Sequence, residues 1–328
     1  MKTTVAIAPL GPYSLESSAK FLCGFTPAAG ASATLEDGRL VLGFLDEVRH
    51  VPVTVALGQQ TRDGEVRIEL PGHTTSQDAD AIVKQVKRML SLDHDARGLL
   101  DVGARDPVVQ RILEATPGFR PVCFPSPYEA AVWGVLAQRI SMPVAAALEQ
   151  RMAIATGTVA EGWGRAFHPS PAPERLLALE SFPGVAAEKM TRLHAVAVAA
   201  LDGKLDADRL RAMPVSRAVE ELRAIRGVGP WTAEHILMRG CGVVDALPTA
   251  EPRVLRALQE AYALEATPTE EEAQQIAERW RPYRMWIAVR MVMALSRSGW
   301  TAPRSRSTSR SSRSSRSRSR STQIDIRS

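Results

Sequence analysis

An α+β fold, mainly α, is what this sequence predicts: a small antiparallel α/β domain, then an all-helical domain, then a disordered tail. Three observations predict it. Apolar residues alternate between about 33 and 70, helical periodicity runs from about Pro107 to Trp300, and an Arg/Ser run follows. The boundaries fall at 1–106, 107–300 and 301–328.

In the first part, Leu40, Leu42 and Phe44, then Val51, Val53 and Val55, then Val66, Ile68 and Leu70 recur at every second position, with turn signals at Asp37-Gly38 and Asp63-Gly64. That pattern reads as an antiparallel sheet. A helix is expected from about Ser76, with Ile82, Val86, Met89 and Leu90 at helical spacing, and another near Leu15 to Leu22. No motif with reactive chemistry lies there. The opening MKTTVAIAPLGPYSLESS has one lysine and no convincing cleavage site, so it reads as mature protein.

The helical part is broken at Pro117-Gly118, Pro125-Ser126-Pro127, Pro183-Gly184 and Pro282. Ser126, Pro127 and Glu129 make a capping box with proline in the first turn, opening a helix expected to carry Ala131, Val135, Leu136 and Ile140 on one side. The stretch EELRAI reads as a helix stopping at Gly227, and WTAEHILMRG as another stopping at Gly240.

The tail holds eight arginines and one aspartate, a net +7 against +5 for the whole chain, so residues 1–300 carry −2 and are not basic. An Arg/Ser repeat without apolar residues cannot offset its ordering entropy, and it would bind phosphate backbones without sequence preference. A solvated low-complexity extension with no role fits it as well. Eighteen consecutive apolar residues occur nowhere, which argues against a membrane span, and a cytoplasmic location is expected. Three cysteines about a hundred residues apart suit neither a disulfide framework nor a metal cluster. Neither metal nor cofactor is called for. The Gly-Val-Gly stretch lacks the third glycine and following acidic residue of a dinucleotide site, and no Walker-type Lys-Ser/Thr is present.

IRGVGPWTAEHI, residues 225–236, joins two helices through a bare backbone. Glycines at 227 and 229 allow positive φ and a close approach, and N–H groups at a helix start favour an anion. Such a hairpin suits a DNA phosphate backbone gripped without reading bases, with Val228 as its apolar pin. Pro230 has no N–H, so donors would come from Gly227, Val228, Gly229, or from Trp231 onward, Thr232 among them. A plain glycine-capped corner between helices has the same sequence signature.

LRAIRGVGPWTAEHILMRG resembles the helix-hairpin-helix signature of the DNA glycosylase superfamily that includes endonuclease III. Within it, the chain looks most like the alkylation-repair branch, the DNA-3-methyladenine glycosylase II type. PGFRPVCFPSPYEAAVWGVLAQRIS, DALPTAEPRVLRAL and AERWRPYRMWIAVRMVM extend the similarity over about residues 10–300. The resemblance implies a TATA-binding-protein-like N-terminal domain and a helix-hairpin-helix glycosylase core. It also implies a hydrolase of base excision repair that flips alkylated purines from double-stranded DNA and cuts the bond between base and sugar. No obligate protein partner or permanent oligomer is implied.

Residue by residue, bifunctional relatives carry a lysine nucleophile where this chain has Trp231, so a monofunctional enzyme without lyase activity is expected. Trp231 would stack on the flipped base as the pocket wall, with His235 one turn later facing the same way. A packed core role stays open for both. The family's catalytic aspartate matches Glu251, a departure that lengthens the side chain by one carbon; a slow enzyme or a lesion binder without turnover stays open. Asp245 matches a structural acidic position. The family's inserting wedge falls at Gln138 or Arg139, though a surface arginine is an equal reading. Arg279, Trp280, Arg281, Tyr283 and Arg284 read mainly as packing and salt bridging.

Overall fold

The structure is a computed structural model, and it describes residues 3–24, 32–72 and 74–296. The Arg/Ser segment expected to be disordered lies outside the described residues.

Five antiparallel strands form the N-terminal sheet: β1 (Thr3–Ile7), β2 (Ala33–Glu36), β3 (Arg39–Leu45), β4 (Pro52–Gln59) and β5 (Val66–Leu70), in the order β1-β5-β4-β3-β2. Asp37 and Gly38 both take positive φ, which is what a two-residue hairpin between right-twisted strands requires. The strand β1 pairs with β5 across some sixty residues, Val5 facing Ile68, and local alternation gave it no signal. Helices Leu15–Gly24 and Ser76–Met89 cover one face. Leu40, Leu42, Phe44, Val55, Leu57 and Ile68 point into that core with Ile82, Val86 and Met89.

The other face is covered too, so β3 is buried almost throughout rather than alternating. Its cover corrects the all-helical expectation for the second part. A two-stranded hairpin, β6 (Ala160–Gly162) and β7 (Arg165–Phe167), lies on the sheet and packs Ala160 and Phe167 against Val41 and Ala56. Trp163 and Gly164 form its turn, both at positive φ. A Cβ at Gly43 would collide with the Phe167 side chain, so the close approach demands glycine there. Thr54 Oγ1 also donates to Glu161 O at 3.1 Å.

A buried guanidinium joins the two parts. Arg120 donates to the carbonyls of Leu10, Gly11 and Pro12 and to those of Ser91 and His94. Leu99 and Val102, ahead of residue 106, already pack with helical-core residues rather than with the sheet.

The helices gather around two cores. One holds Tyr128, Val132, Leu193, Leu222, Val228 and Ile236; the other holds Val109, Ile112, Leu258, Trp280, Trp286 and Met291. Every residue of the helix Pro127–Leu136 is buried. It opens at the expected N-cap, with Ser126 Oγ accepting from Glu129 N at 3.1 Å, but the capping box is only half made: the Glu129 carboxyl meets the Ser126 hydroxyl at 3.3 Å rather than its backbone N–H. It closes at Leu136, so Ile140 is not on it: a turn follows in which Arg139 has φ +60°. Trp280 and Tyr283 are buried, while Arg281 and Arg284 bind Asp245 at 2.7 and 2.8 Å. Asp245, Trp280, Arg281, Tyr283 and Arg284 thus pack and salt-bridge, while Arg279 is exposed with Asp106 3.9 Å away.

Candidate functional site

The hairpin begins where the helix Val215–Arg223 ends, a few residues short of Gly227, and its second helix runs Pro230–His235 and continues as a π-type turn, Ile236–Gly240. Two glycines do different jobs here. Gly227 sits at φ +91°, and a Cβ there would lie 2.7 Å from the stem of Arg192, so backbone and packing both require glycine. Gly229 corrects the expectation of positive φ: it is extended, φ −85°, as the residue before a proline prefers, and a Cβ would meet nothing within 4 Å. Nothing inside the described residues explains glycine at 229.

Val228 is buried as the pin, but its N–H bonds Ile225 O at 3.0 Å and is not available to an anion. The N–H groups of Gly227 and Gly229 have no partner among the described residues. Thr232 also departs from expectation. Its side chain is buried against Gly134, where an added Cβ would lie 2.8 Å from Thr232 Cγ2, so only its backbone could face an outside partner.

Of the two wedge candidates, Gln138 is committed: Nε2 donates to Gly227 O at 2.8 Å and Oε1 accepts from Arg192 at 2.9 Å. Lys189 Nζ holds the same turn through Leu136 O and Gln138 O. Arg139 is exposed beside it, and its left-handed backbone costs energy for a non-glycine residue.

A cleft of about 330 Å³ opens on the seam between the two helical cores. Trp133, Trp231, His235 and Met238 line one side, Met285, Val289 and Met293 the other, with Phe21 from the N-terminal part. At its edge stands Glu251, the N-cap of the helix Pro252–Ala261, accepting from Arg253 N at 3.1 Å. Trp231 Nε1 donates to its Oε2 at 3.0 Å, and Arg253 Nε and Nη2 reach its two oxygens at 2.9 Å each. Burial alone would raise the carboxyl's pKa. The hydrogen bonds from Arg253 and Trp231 with the arginine's charge outweigh it, holding the pKa at about 2.

His235 stacks on Trp231 at 4.8 Å and 10° and meets Phe124 edge-on at 5.0 Å. Burial, helped by the charge of Arg239, pushes its pKa down to about 3, so it is neutral at pH 7. One face of Trp231 is therefore taken. The structure thus brings Trp231, His235 and Glu251 into one cleft, while Gly227, Gly229 and Arg139 lie on the hairpin side.

Two cleft residues escaped the sequence reading. Glu234 accepts from Ala250 N at 3.0 Å and Thr249 Oγ1 at 3.4 Å, which fixes the turn that presents Glu251. Arg253 grips Glu251 from the first turn of the helix that Glu251 caps, and the DALPTAEPRVLRAL segment that contains it gave it no role. Among the described residues, no group of three or more His, Cys, Asp or Glu could hold a metal ion, and no helix is long and apolar enough to cross a membrane.

No family model matches the chain. It is 28% identical over 212 residues to a DNA-3-methyladenine glycosylase of Bacillus subtilis, which covers 63% of this chain and 70% of that protein. It is 31% identical over 205 residues to a Mycobacterium tuberculosis protein described as a probable bifunctional transcriptional activator/DNA repair enzyme, 61% of this chain but only 40% of that one. In fold it is similar to a 3-methyladenine DNA-glycosylase from Archaeoglobus fulgidus, with a TM-score of 0.72 over 89% of this chain and 97% of that one at 18% identity. The solved likeness speaks for the fold, the curated relatives for descent: the chain is homologous to the 3-methyladenine DNA glycosylases.

Proposed function

We propose that the chain is a monofunctional DNA glycosylase of base excision repair, which flips alkylated purines of the 3-methyladenine and 7-methylguanine type out of duplex DNA and hydrolyses the bond to the sugar. The observation that carries this reading is an ionised carboxylate, Glu251, hydrogen-bonded to Trp231 at the edge of an aromatic and sulfur-lined cleft. Alkylation leaves the purine cationic, and the base is then a good leaving group. The cleft offers π faces and thioethers to such a ring. As the bond breaks, positive charge moves to the sugar, and an anion fixed beside it lowers the barrier. Water then completes the hydrolysis. Flipping moves the base out of the stack into the cleft, and Arg139, the free member of the turn, fills the gap by stacking its guanidinium. Free N–H groups at Gly227 and Gly229 hold the phosphate backbone. Trp231 stands where a lyase would need an amine, and an indole forms no Schiff base.

The test is base release from alkylated duplex DNA by wild type and Glu251→Gln, with strand breaks scored separately. Release by wild type with intact strands, slowed on the order of 10²-fold or more in the variant, supports the reading. A second reading, a lesion binder without turnover, is favoured by the two hydrogen bonds with which Arg253 caps the carboxylate. Tight binding to an abasic-site mimic with no base release from either protein would decide for it.

A further inference from the structure

We propose that Arg253 is a phosphate-exchanged latch: in the free protein its guanidinium rests on the Glu251 carboxylate, and on DNA binding it transfers to a backbone phosphate beside the flipped nucleotide. The inference rests on the glycosylase reading and explains how a capped carboxylate becomes useful.

Each oxygen of Glu251 accepts two hydrogen bonds in the free protein. Oε1 accepts from Arg253 N and Nε, and Oε2 from Trp231 Nε1 and Arg253 Nη2. An anion with a guanidinium at 2.9 Å has its field cancelled where a cationic sugar would need it. Two of those donors belong to the fold, the Arg253 backbone N–H and the Trp231 indole. The guanidinium does not. Its side chain is 59% exposed, whereas that of Glu251 is 18% exposed. The pair is bidentate, but its exposed guanidinium can be reached by an incoming anion, and a phosphate offers the same two-pronged match that the carboxylate does.

The position of Arg253 adds to the case. It sits in the first turn of the helix Pro252–Ala261, the end at which the backbone dipole disfavours a cation. A phosphate there would be welcomed by the same dipole and by the bidentate fork of arginine. The other guanidinium of the cleft, Arg239, is committed, donating to Val122 O at 2.7 Å with its plane near the Phe21 ring. Once Arg253 leaves, Glu251 keeps its N-cap bond and the indole bond, so it stays in place as an anion facing the cleft.

The experiment is the salt dependence of binding to a duplex carrying a tetrahydrofuran abasic-site mimic, read by fluorescence anisotropy between 50 and 200 mM KCl. Wild type is compared with Arg253→Gln, which keeps a donor for Glu251 but loses the charge, and with Arg253→Lys, which keeps the charge. Thermal midpoints check the fold. One phosphate contact contributes a slope of about 0.9 in log Kd against log salt. The glutamine variant should therefore lose about 3.5-fold less affinity than wild type over this fourfold rise in salt. The lysine variant should follow wild type. Equal slopes for wild type and Arg253→Gln overturn the latch. If wild type binds the duplex yet releases no alkylated base, the glycosylase reading fails while the slope comparison still decides the phosphate contact. If wild type does not bind the duplex, both fall.

Discussion

Gly227 and Gly229 are two residues apart in one hairpin, and exchanging each for alanine should separate folding from DNA binding. At Gly227 an alanine must hold φ +91° and place its Cβ 2.7 Å from Arg192, a stem that cannot withdraw without releasing Gln138. The left-handed backbone alone costs about 1–2 kcal/mol, and the clash adds to it, so a loss of about 2–3 kcal/mol is expected. At Gly229 the backbone is extended and the added methyl meets nothing. Alanine there gains about 0.4–1 kcal/mol by restricting the unfolded chain and loses about 0.5 kcal/mol as a poorer N-cap than glycine. The two nearly cancel. Yet that methyl would stand where a phosphate must approach, and losing one hydrogen bond to a charged group costs about 1.5–3 kcal/mol, or roughly 10- to 100-fold in affinity. Urea unfolding and anisotropy on the abasic-mimic duplex measure the two quantities. Gly229→Ala that is as stable as wild type and binds DNA as tightly would refute the phosphate-binding role and leave the hairpin a plain corner.

Two further outcomes follow from the titrating groups. Trp231→Phe keeps the ring over His235 but removes the donor to Glu251; one hydrogen bond to a charged group, about 1.5–3 kcal/mol, corresponds to about one to two pKa units, so the carboxyl should titrate that much above the wild-type midpoint of about 2. A carbon-13 titration of the Glu251 carboxyl reads this directly, and an unchanged midpoint would show that the indole does not hold it. Glu149, packed at the seam between sheet and helices, has its carboxyl raised by burial to about 7. Because the folded state holds this proton more tightly than the unfolded one, its contribution is present at acid pH and is lost as pH rises from about 4.5 to 7. The loss is at most about 3 kcal/mol, less what solvent relieves at a half-buried side chain. Glu149→Gln should therefore flatten the decline in urea stability between pH 5 and 8, and parallel curves for the two proteins would contradict it.

Local signals were legible and distant ones were not. Ser126 and the Asp37-Gly38 turn act on their immediate neighbours, and the structure has both. Leu40, Leu42 and Phe44 announced the helix-covered face of the sheet. Val41 and Leu45 are buried as well: Phe167 and Ala160 cover Val41 from more than a hundred residues along the chain, and Leu45 joins the helical core that holds Tyr128. The hairpin that carries Ala160 and Phe167 turns on Trp163, a bulky residue in the left-handed region where turn rules look for glycine or asparagine. In the cleft, Trp231, His235 and Glu251 were marked by the motif they sit in. Arg253 and Glu234 act through a rotamer and a loop contact, and neither leaves a periodicity or a spacing to read. Gly229 shows the limit of residue type: glycine announced freedom of φ, while the backbone there is extended and open to other residues.

The hairpin on the back of the sheet makes the N-terminal part a poor candidate for a fragment of its own. Cut near residue 106, the N-terminal piece would carry an uncovered stripe of Val41, Ala56 and Leu45, a helix Leu99–Arg105 with no core to join, and five backbone carbonyls that had shared one guanidinium. Such a surface is an invitation to aggregate. A fragment that kept the back of the sheet covered would have to run on through residue 167, well past the last strand of the sheet itself.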